Sequence, residues 1–229
     1  ARKKPDPLPL LHACQLAQTT PDRALLIGDS ANDALAAKAA GMTVLLGFIN
    51  ALTAWLTLAS LLGYALIYTL FLKRATPQNI VIGGGAGAFP PLIGWVAATG
   101  EITLMPVVLF AIIFYWTPPH FWSLALLKQG EYGRVHVPML PVVSGEAYTR
   151  RQIFLYTVML AAVSLMLVPF GMSWIYLVGT LLLSGWFLKL AYSLLRDPSK
   201  ALARKTFFYS IWYVAALFAV MATDRILLG

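Results

Sequence analysis

Two polar clusters stand out in a chain that is otherwise 59% hydrophobic and only 11% charged. The first lies in YTLFLKRATPQNIVIGGGAGAFPP and holds Tyr68, Lys73, Arg74, Thr76, Gln78 and Asn79. The second lies in HFWSLALLKQGEYGRVHVPMLPVV and holds His120, Lys128, Glu131, Tyr132, Arg134 and His136. Cations, amides and phenols of this kind suit an anionic head group: each N–H or O–H can donate to an oxyanion, and lysine and arginine add charge. Apolar segments beside both clusters could hold a hydrophobic tail of the same ligand, which points to a prenyl or lipid diphosphate. A simpler reading is that Lys and Arg at the ends of apolar runs only set topology. The Gln78-Asn79 amides, the glycine-rich entry and the Pro118-Pro119-His120 step weigh toward a site.

Other residues carry weaker signals. Gly83-Gly84-Gly85 with Gly87 lacks the Gly-Lys-Ser/Thr ending of a phosphate loop and follows no strand. Close helix packing through small residues is the expected use. His120 follows two prolines, which free backbone carbonyls and should open the helix; a substrate-side role and a core role both remain open for it. Phe114, Tyr115, Trp116, Phe121 and Trp122 are most simply packing and interface anchors. They could also line an apolar pocket in which aromatic faces stabilise a carbocation. Near the N-terminus, LLIGDSANDALAAKAAGM places Asp29 and Asp33 in a loop between a short apolar strand, 24–27, and an alanine-rich helix closed by Gly41. That small piece is α/β-like.

The elements that position these residues are membrane spans. A soluble domain carries about 25% charged residues, and the deficit here, with several apolar runs long enough to cross a bilayer, predicts an all-α polytopic transmembrane bundle. Six spans are expected, at about 50–72, 80–98, 103–127, 153–170, 174–195 and 207–226. The net charge of +8 does not point to nucleic acid, because the basic residues fall in short connections between spans. Lys73, Arg74, Lys128, Arg134, Arg150, Arg151, Lys189, Arg196, Lys200, Arg204 and Lys205 share one face, expected to be cytoplasmic. The connections around Glu101 and at 171–173 carry no Lys or Arg. Residues 1–43 hold Arg2, Lys3, Lys4, Arg23 and Lys38, which favour the same side, although a single span over 50–72 would place them opposite. The lone Cys14 excludes an internal disulfide and a cysteine-rich metal site. ARKKPDP is not followed by the apolar stretch and cleavage site of a signal peptide.

LKRATPQNIVIGG, AFPPLIGW, TPPHFWSLAL, EYGRVHVPMLPVVSG and ARKTFFYSI, in that order, resemble the protoheme IX farnesyltransferase (heme O synthase) family of intramembrane prenyltransferases. The resemblance runs over about 44–229. It implies a substrate pair, farnesyl diphosphate and heme B, with Mg²⁺ as cofactor and heme as substrate. The farnesyl group would pass to a heme vinyl group, with water completing the side chain. By the same resemblance Lys73, Arg74, Lys128 and Glu131 are candidate catalytic residues. Tyr68, Gln78, Asn79, His120, Tyr132 and Arg134 are candidates for binding diphosphate or substrate. Glu131 stands where the family usually has aspartate and is the candidate Mg²⁺ ligand. A bacterial inner membrane is implied, with heme A synthase or terminal-oxidase assembly factors as possible partners.

The family has about nine spans and an early aspartate-rich motif of Asn-Asp-x-x-Asp type. This chain is expected to correspond to the last six spans, with no such motif ahead of residue 44, so activity of the chain is itself in question. The alternative function is a non-catalytic membrane fragment that binds heme or isoprenoid. Residues 1–43 resemble instead the C-terminal part of a haloacid-dehalogenase-type phosphatase, through KKPDPLPLLHAC and GDSAND. That resemblance would put Lys4 at a phosphoryl group and Asp29 and Asp33 at a remnant, non-functional Mg²⁺ site. The expected domains are thus 1–43 and 44–229.

Overall fold

The computed structural model describes residues 50–72, 75–134 and 138–228. By compactness the chain divides into two units, 1–57 and 58–229. Within the first, the described residues are the opening turns of helix α1 (Ala51–Leu62). Asn50 Oδ1 accepts from the Thr53 amide at 2.8 Å and from Thr53 Oγ1 at 2.9 Å, which satisfies donors that the first turn of a helix leaves without partners.

In the second unit the winding that begins as α1 widens at Gly63 into a π-helix, Gly63–Leu72. There Thr69 Oγ1 donates to the Tyr64 carbonyl five residues back, at 3.0 Å. The chain continues through α2 (Asn79–Gly87), α3 (Phe89–Thr99), α4 (Leu104–Leu127), the short α5 (Gln129–Arg134) and α6 (Leu140–Val143), then α7 (Gly145–Leu165), α8 (Trp174–Arg196) and α9 (Lys200–Leu228). No strand occurs among the described residues. Five stretches are long and apolar enough to cross a membrane: 79–99, 104–127, 145–170, 174–196 and 200–228. The protein is an integral, multi-pass, all-α membrane bundle. The sixth expected span, 50–72, contains a shorter apolar helix, Ala51–Leu66. The α/β-like piece expected before residue 44 lies outside the described residues.

Three boundaries differ from expectation. The span expected at 80–98 is two helices, parted at Ala88 just ahead of Pro90-Pro91. Proline is accommodated in a helix's first turn, where its missing N–H costs nothing. Helix α7 begins at Gly145 and α9 at Lys200, seven or eight residues ahead of the apolar runs at 153 and 207. Hydropathy marks the lipid-immersed part of a helix. The winding itself continues through Arg150, Arg151, Arg204 and Lys205. Pro118 and Pro119 were expected to open α4, yet the helix runs unbroken from 104 to 127.

Helix α4 is the central element, packed against α2, α3, α7 and α9. One core cluster joins Val108, Leu109 and Ile112 of α4 to Leu160, Tyr176, Phe187, Tyr213 and Leu217. A second, at the basic end, joins Ile80, Trp122, Leu126, Leu140, Ile153, Leu194 and Ala203. Several polar groups in this interior are paired within the protein, as a hydrocarbon surround favours, whereas the buried Trp95 Nε1 and Trp122 Nε1 have no hydrogen-bond partner among the described residues. Tyr213 Oη lies 3.0 Å from Ser164 Oγ and 3.1 Å from Ser184 Oγ, tying α7, α8 and α9. Tyr176 Oη donates to the Ser164 carbonyl at 2.8 Å. At the opposite end from the basic loops, buried Asp224 accepts from the Ser173 amide at 2.9 Å, the Tyr176 amide at 3.0 Å and the Ser173 hydroxyl. The outward faces are apolar: Leu182, Trp212 and Trp174 stand exposed, as lipid contact requires.

Candidate functional site

Described parts of the two polar segments come near one another: Ile80, next in sequence to Asn79, belongs to the core cluster against which Tyr132 packs. Tyr68, near the end of the π-helix, lies within electrostatic reach of Tyr132 on α5. Its ring stacks on Tyr64 with centroids 5.3 Å apart. Gly83 makes this position possible, because a Cβ there would collide with the Tyr68 ring. Gly84 similarly lies under Thr117, where a Cβ would come within 2.9 Å of the Thr117 methyl. The glycine run is therefore a close-packing surface inside α2, and no phosphate loop forms there.

Lys128 ends α4, and the chain turns at once into α5, with the Glu131 amide donating to the Lys128 carbonyl at 3.0 Å. That turn sets Lys128 Nζ 3.1 Å from Glu131 Oε2. Both side chains are largely exposed, so the pair can exchange partners with little desolvation cost. Gln129 Nε2 donates to the Pro141 carbonyl at 2.9 Å and pins α5 to α6. Gln78 is exposed, while Asn79 opens α2 buried at 1% exposure, next in sequence to the core residue Ile80. Lys73, Arg74 and His136 lie outside the described residues, as do Lys4, Asp29 and Asp33. Arg134 closes α5, and its side chain also lies outside the described set.

His120 belongs to a different constellation. It sits eight residues before Lys128 on α4, about 12 Å away along the helix axis at 1.5 Å per residue. Its ring is stacked between Trp116 (centroids 4.5 Å, planes 18° apart) and Phe207 of α9 (4.7 Å, 26°). Phe121 meets it edge-on at 5.1 Å. His120 Nδ1 lies 2.7 Å from Ser210 Oγ, and Trp116 Nε1 donates to the Ser210 carbonyl at 2.6 Å. Phe207 and Ser210 were not singled out from the sequence as site residues. They lie in ARKTFFYSI, Ser210 ninety residues from His120, and no local spacing links them to it.

Fit to a divalent cation is poor among the described residues. No three His, Cys, Asp or Glu side chains gather anywhere in that set. Glu131 is the one carboxylate of the 128–134 turn and is paired with Lys128, and Glu146 is paired with Arg150 at 3.4 Å.

A multi-span helical bundle with cations, phenols and an amide gathered at one end is the architecture of a membrane enzyme or binder for amphipathic anions. The profile of the UbiA prenyltransferase family matches residues 17–213, and the chain belongs to that family. Among curated proteins, the chain is 58% identical to a protoheme IX farnesyltransferase of Thiobacillus denitrificans over 81% of its own length and 62% of that protein. It is 58% identical to the protoheme IX farnesyltransferase of Stutzerimonas stutzeri over 82% of this chain and 63% of the relative. For the one from Teredinibacter turnerae the identity is 59%, over 82% and 60%. The chain thus spans about 60% of the length of the curated relatives it matches. No solved structure matches. The family match begins inside the segment that resembles a phosphatase, and the comparisons lend the phosphatase resemblance no support.

Proposed function

We propose that this chain takes part in farnesyl transfer from farnesyl diphosphate to a vinyl group of heme B, the heme O synthase reaction. The observation that carries the reading is the 58% identity to protoheme IX farnesyltransferases over about four-fifths of the chain. The nearness of Tyr68 to Tyr132, on the short helix that also carries Glu131 paired with Lys128, supports it.

In this reading the diphosphate lies at the basic end, held by Lys73, Arg74, Lys128 and Arg134 with donors from Tyr68, Gln78, Asn79 and Tyr132. The bond between the farnesyl C1 and the diphosphate oxygen breaks, and its electron pair leaves with the diphosphate. Cations fixed beside that oxygen stabilise the charge as it develops; each contributes on the order of 4 kcal/mol at 4 Å in an effective dielectric of about 20. Lys128 can leave Glu131 for the diphosphate, because the resting pair is solvent-exposed. The vinyl π pair of heme forms the new C–C bond. Water then adds to the resulting cation and releases a proton. Mg²⁺ would supply further charge neutralisation, but no step is assigned to it from the described residues. By the positive-inside bias the basic end faces the cytoplasm, and the membrane is a bacterial inner membrane.

The test is turnover. The chain is expressed in membranes lacking other heme farnesylation and supplied with heme B, farnesyl diphosphate and Mg²⁺, and heme O is sought by mass. The expected result is product that falls at least tenfold with Lys128→Ala. An inserted chain that makes no heme O overturns the proposal.

A further inference from the structure

We infer that His120 is an axial ligand to the iron of the porphyrin substrate, through Nε2. The inference rests on the proposed heme chemistry for the identity of the ligand, and on the following geometry for the residue. Ser210 Oγ lies 2.6 Å from the Phe207 carbonyl, to which it donates. A hydroxyl has one proton, so the same oxygen accepts from His120, and the imidazole proton is placed on Nδ1. Nε2 then carries an in-plane lone pair. It makes no hydrogen bond to any described residue and is not among the buried polar atoms sealed from their surroundings.

This is the arrangement that prepares a histidine for a metal. The remote ring nitrogen donates to a fixed oxygen, which sets the tautomer and increases the basicity of the ligating nitrogen. Stacking by Trp116 and Phe207 on both faces stops the ring from turning, so the lone pair keeps one direction. A core histidine held only for packing would have both nitrogens paired or buried, since an unpaired polar atom in an apolar interior is costly. Position along α4 agrees. His120 lies about 12 Å along the helix from Lys128, within the span of a porphyrin and its side chains.

The experiment uses the full chain in detergent, titrated with heme B and followed by optical absorption and electron paramagnetic resonance, with no farnesyl diphosphate present. The unaltered chain is expected to show a nitrogen-ligated iron spectrum. His120→Phe, which keeps a stacking ring between Trp116 and Phe207, should lose that signature. His120→Gly should lose it too and regain it on adding imidazole, which can occupy the vacated space. Ser210→Ala should keep the signature with heme affinity lower by about 10-fold or more. A nitrogen-ligated spectrum unchanged in His120→Phe, or its absence from the unaltered chain, overturns the inference. The turnover assay separates this from the parent reading. Heme O formed by a chain with no His120-dependent spectrum refutes the ligation alone. A His120-dependent spectrum without product refutes the transfer reading and leaves the ligation standing.

Discussion

Replacing Asp224 with alanine removes an acceptor shared by three donors. The carboxylate is 2% exposed and sits near the end of α9, against the first turn of α8. It takes the Ser173 amide, the Ser173 hydroxyl and the Tyr176 amide. These amides belong to a helix N-terminus, where no carbonyl of the same helix can accept them and where the partial positive charge favours an anion. Loss of a helix cap costs about 0.5–2 kcal/mol. A buried donor stranded without its charged partner adds about 1–3 kcal/mol. Ser173 Oγ still accepts from the Ile175 amide at 3.1 Å, so part of the cap survives. A loss of about 3 kcal/mol is therefore expected for Asp224→Ala. Asp224→Asn keeps an acceptor oxygen in place and should lose about half as much, since hydrogen bonds to a charged group are roughly twice as strong as neutral ones. The assay is reversible unfolding in mixed micelles, monitored by near-ultraviolet circular dichroism. A change below about 0.5 kcal/mol for Asp224→Ala would refute the view that this carboxylate joins α9 to α8.

Other substitutions test other parts of the bundle. Tyr213→Phe removes the hydroxyl between Ser164 and Ser184 and should cost about 0.6–2 kcal/mol in the same unfolding assay. Gly179→Leu drives a side chain into Val220 of α9, where a Cβ would already come within 2.7 Å, and should destabilise by about 1–3 kcal/mol. Gly83→Val should displace the Tyr68 ring and raise the farnesyl diphosphate KM several-fold in the turnover assay, with a smaller change in kcat. Glu131→Gln breaks an exposed ion pair, so unfolding should shift by less than about 0.5 kcal/mol, while the rate of heme O formation changes measurably.

The all-α membrane class was legible because a bilayer leaves few options: long apolar runs must wind into helices that satisfy their own backbone. Five of the six expected spans appear as long apolar helices for that reason. Helix ends were less legible. At α7 and α9 the winding starts outside the hydrophobic run, and hydropathy reports lipid contact rather than backbone hydrogen bonding. The double proline in α4 read as an opening, yet packing against α7 and α9 holds the helix continuous.

For the site, residue types and loop charge pointed to the basic end, whereas the Lys128–Glu131 ion pair was not read from the sequence, although i, i+3 spacing on a turn of helix permits it. Tyr68 and Tyr132 lie on elements separated by three helices and come near each other only because α2, α3 and α4 return the chain to the same end. His120 is the clearest division. Its sequence context showed a histidine at membrane depth, open to either a core or a substrate-side role. Its tautomer, its aromatic clamp and its accessible nitrogen come from Ser210 and Phe207 on another helix, Ser210 ninety residues away. Local sequence determines which helices form, because the 3.6-residue winding and burial of the backbone are local demands. Which side chains face one another across those helices is decided by packing, and that depends on the whole bundle at once.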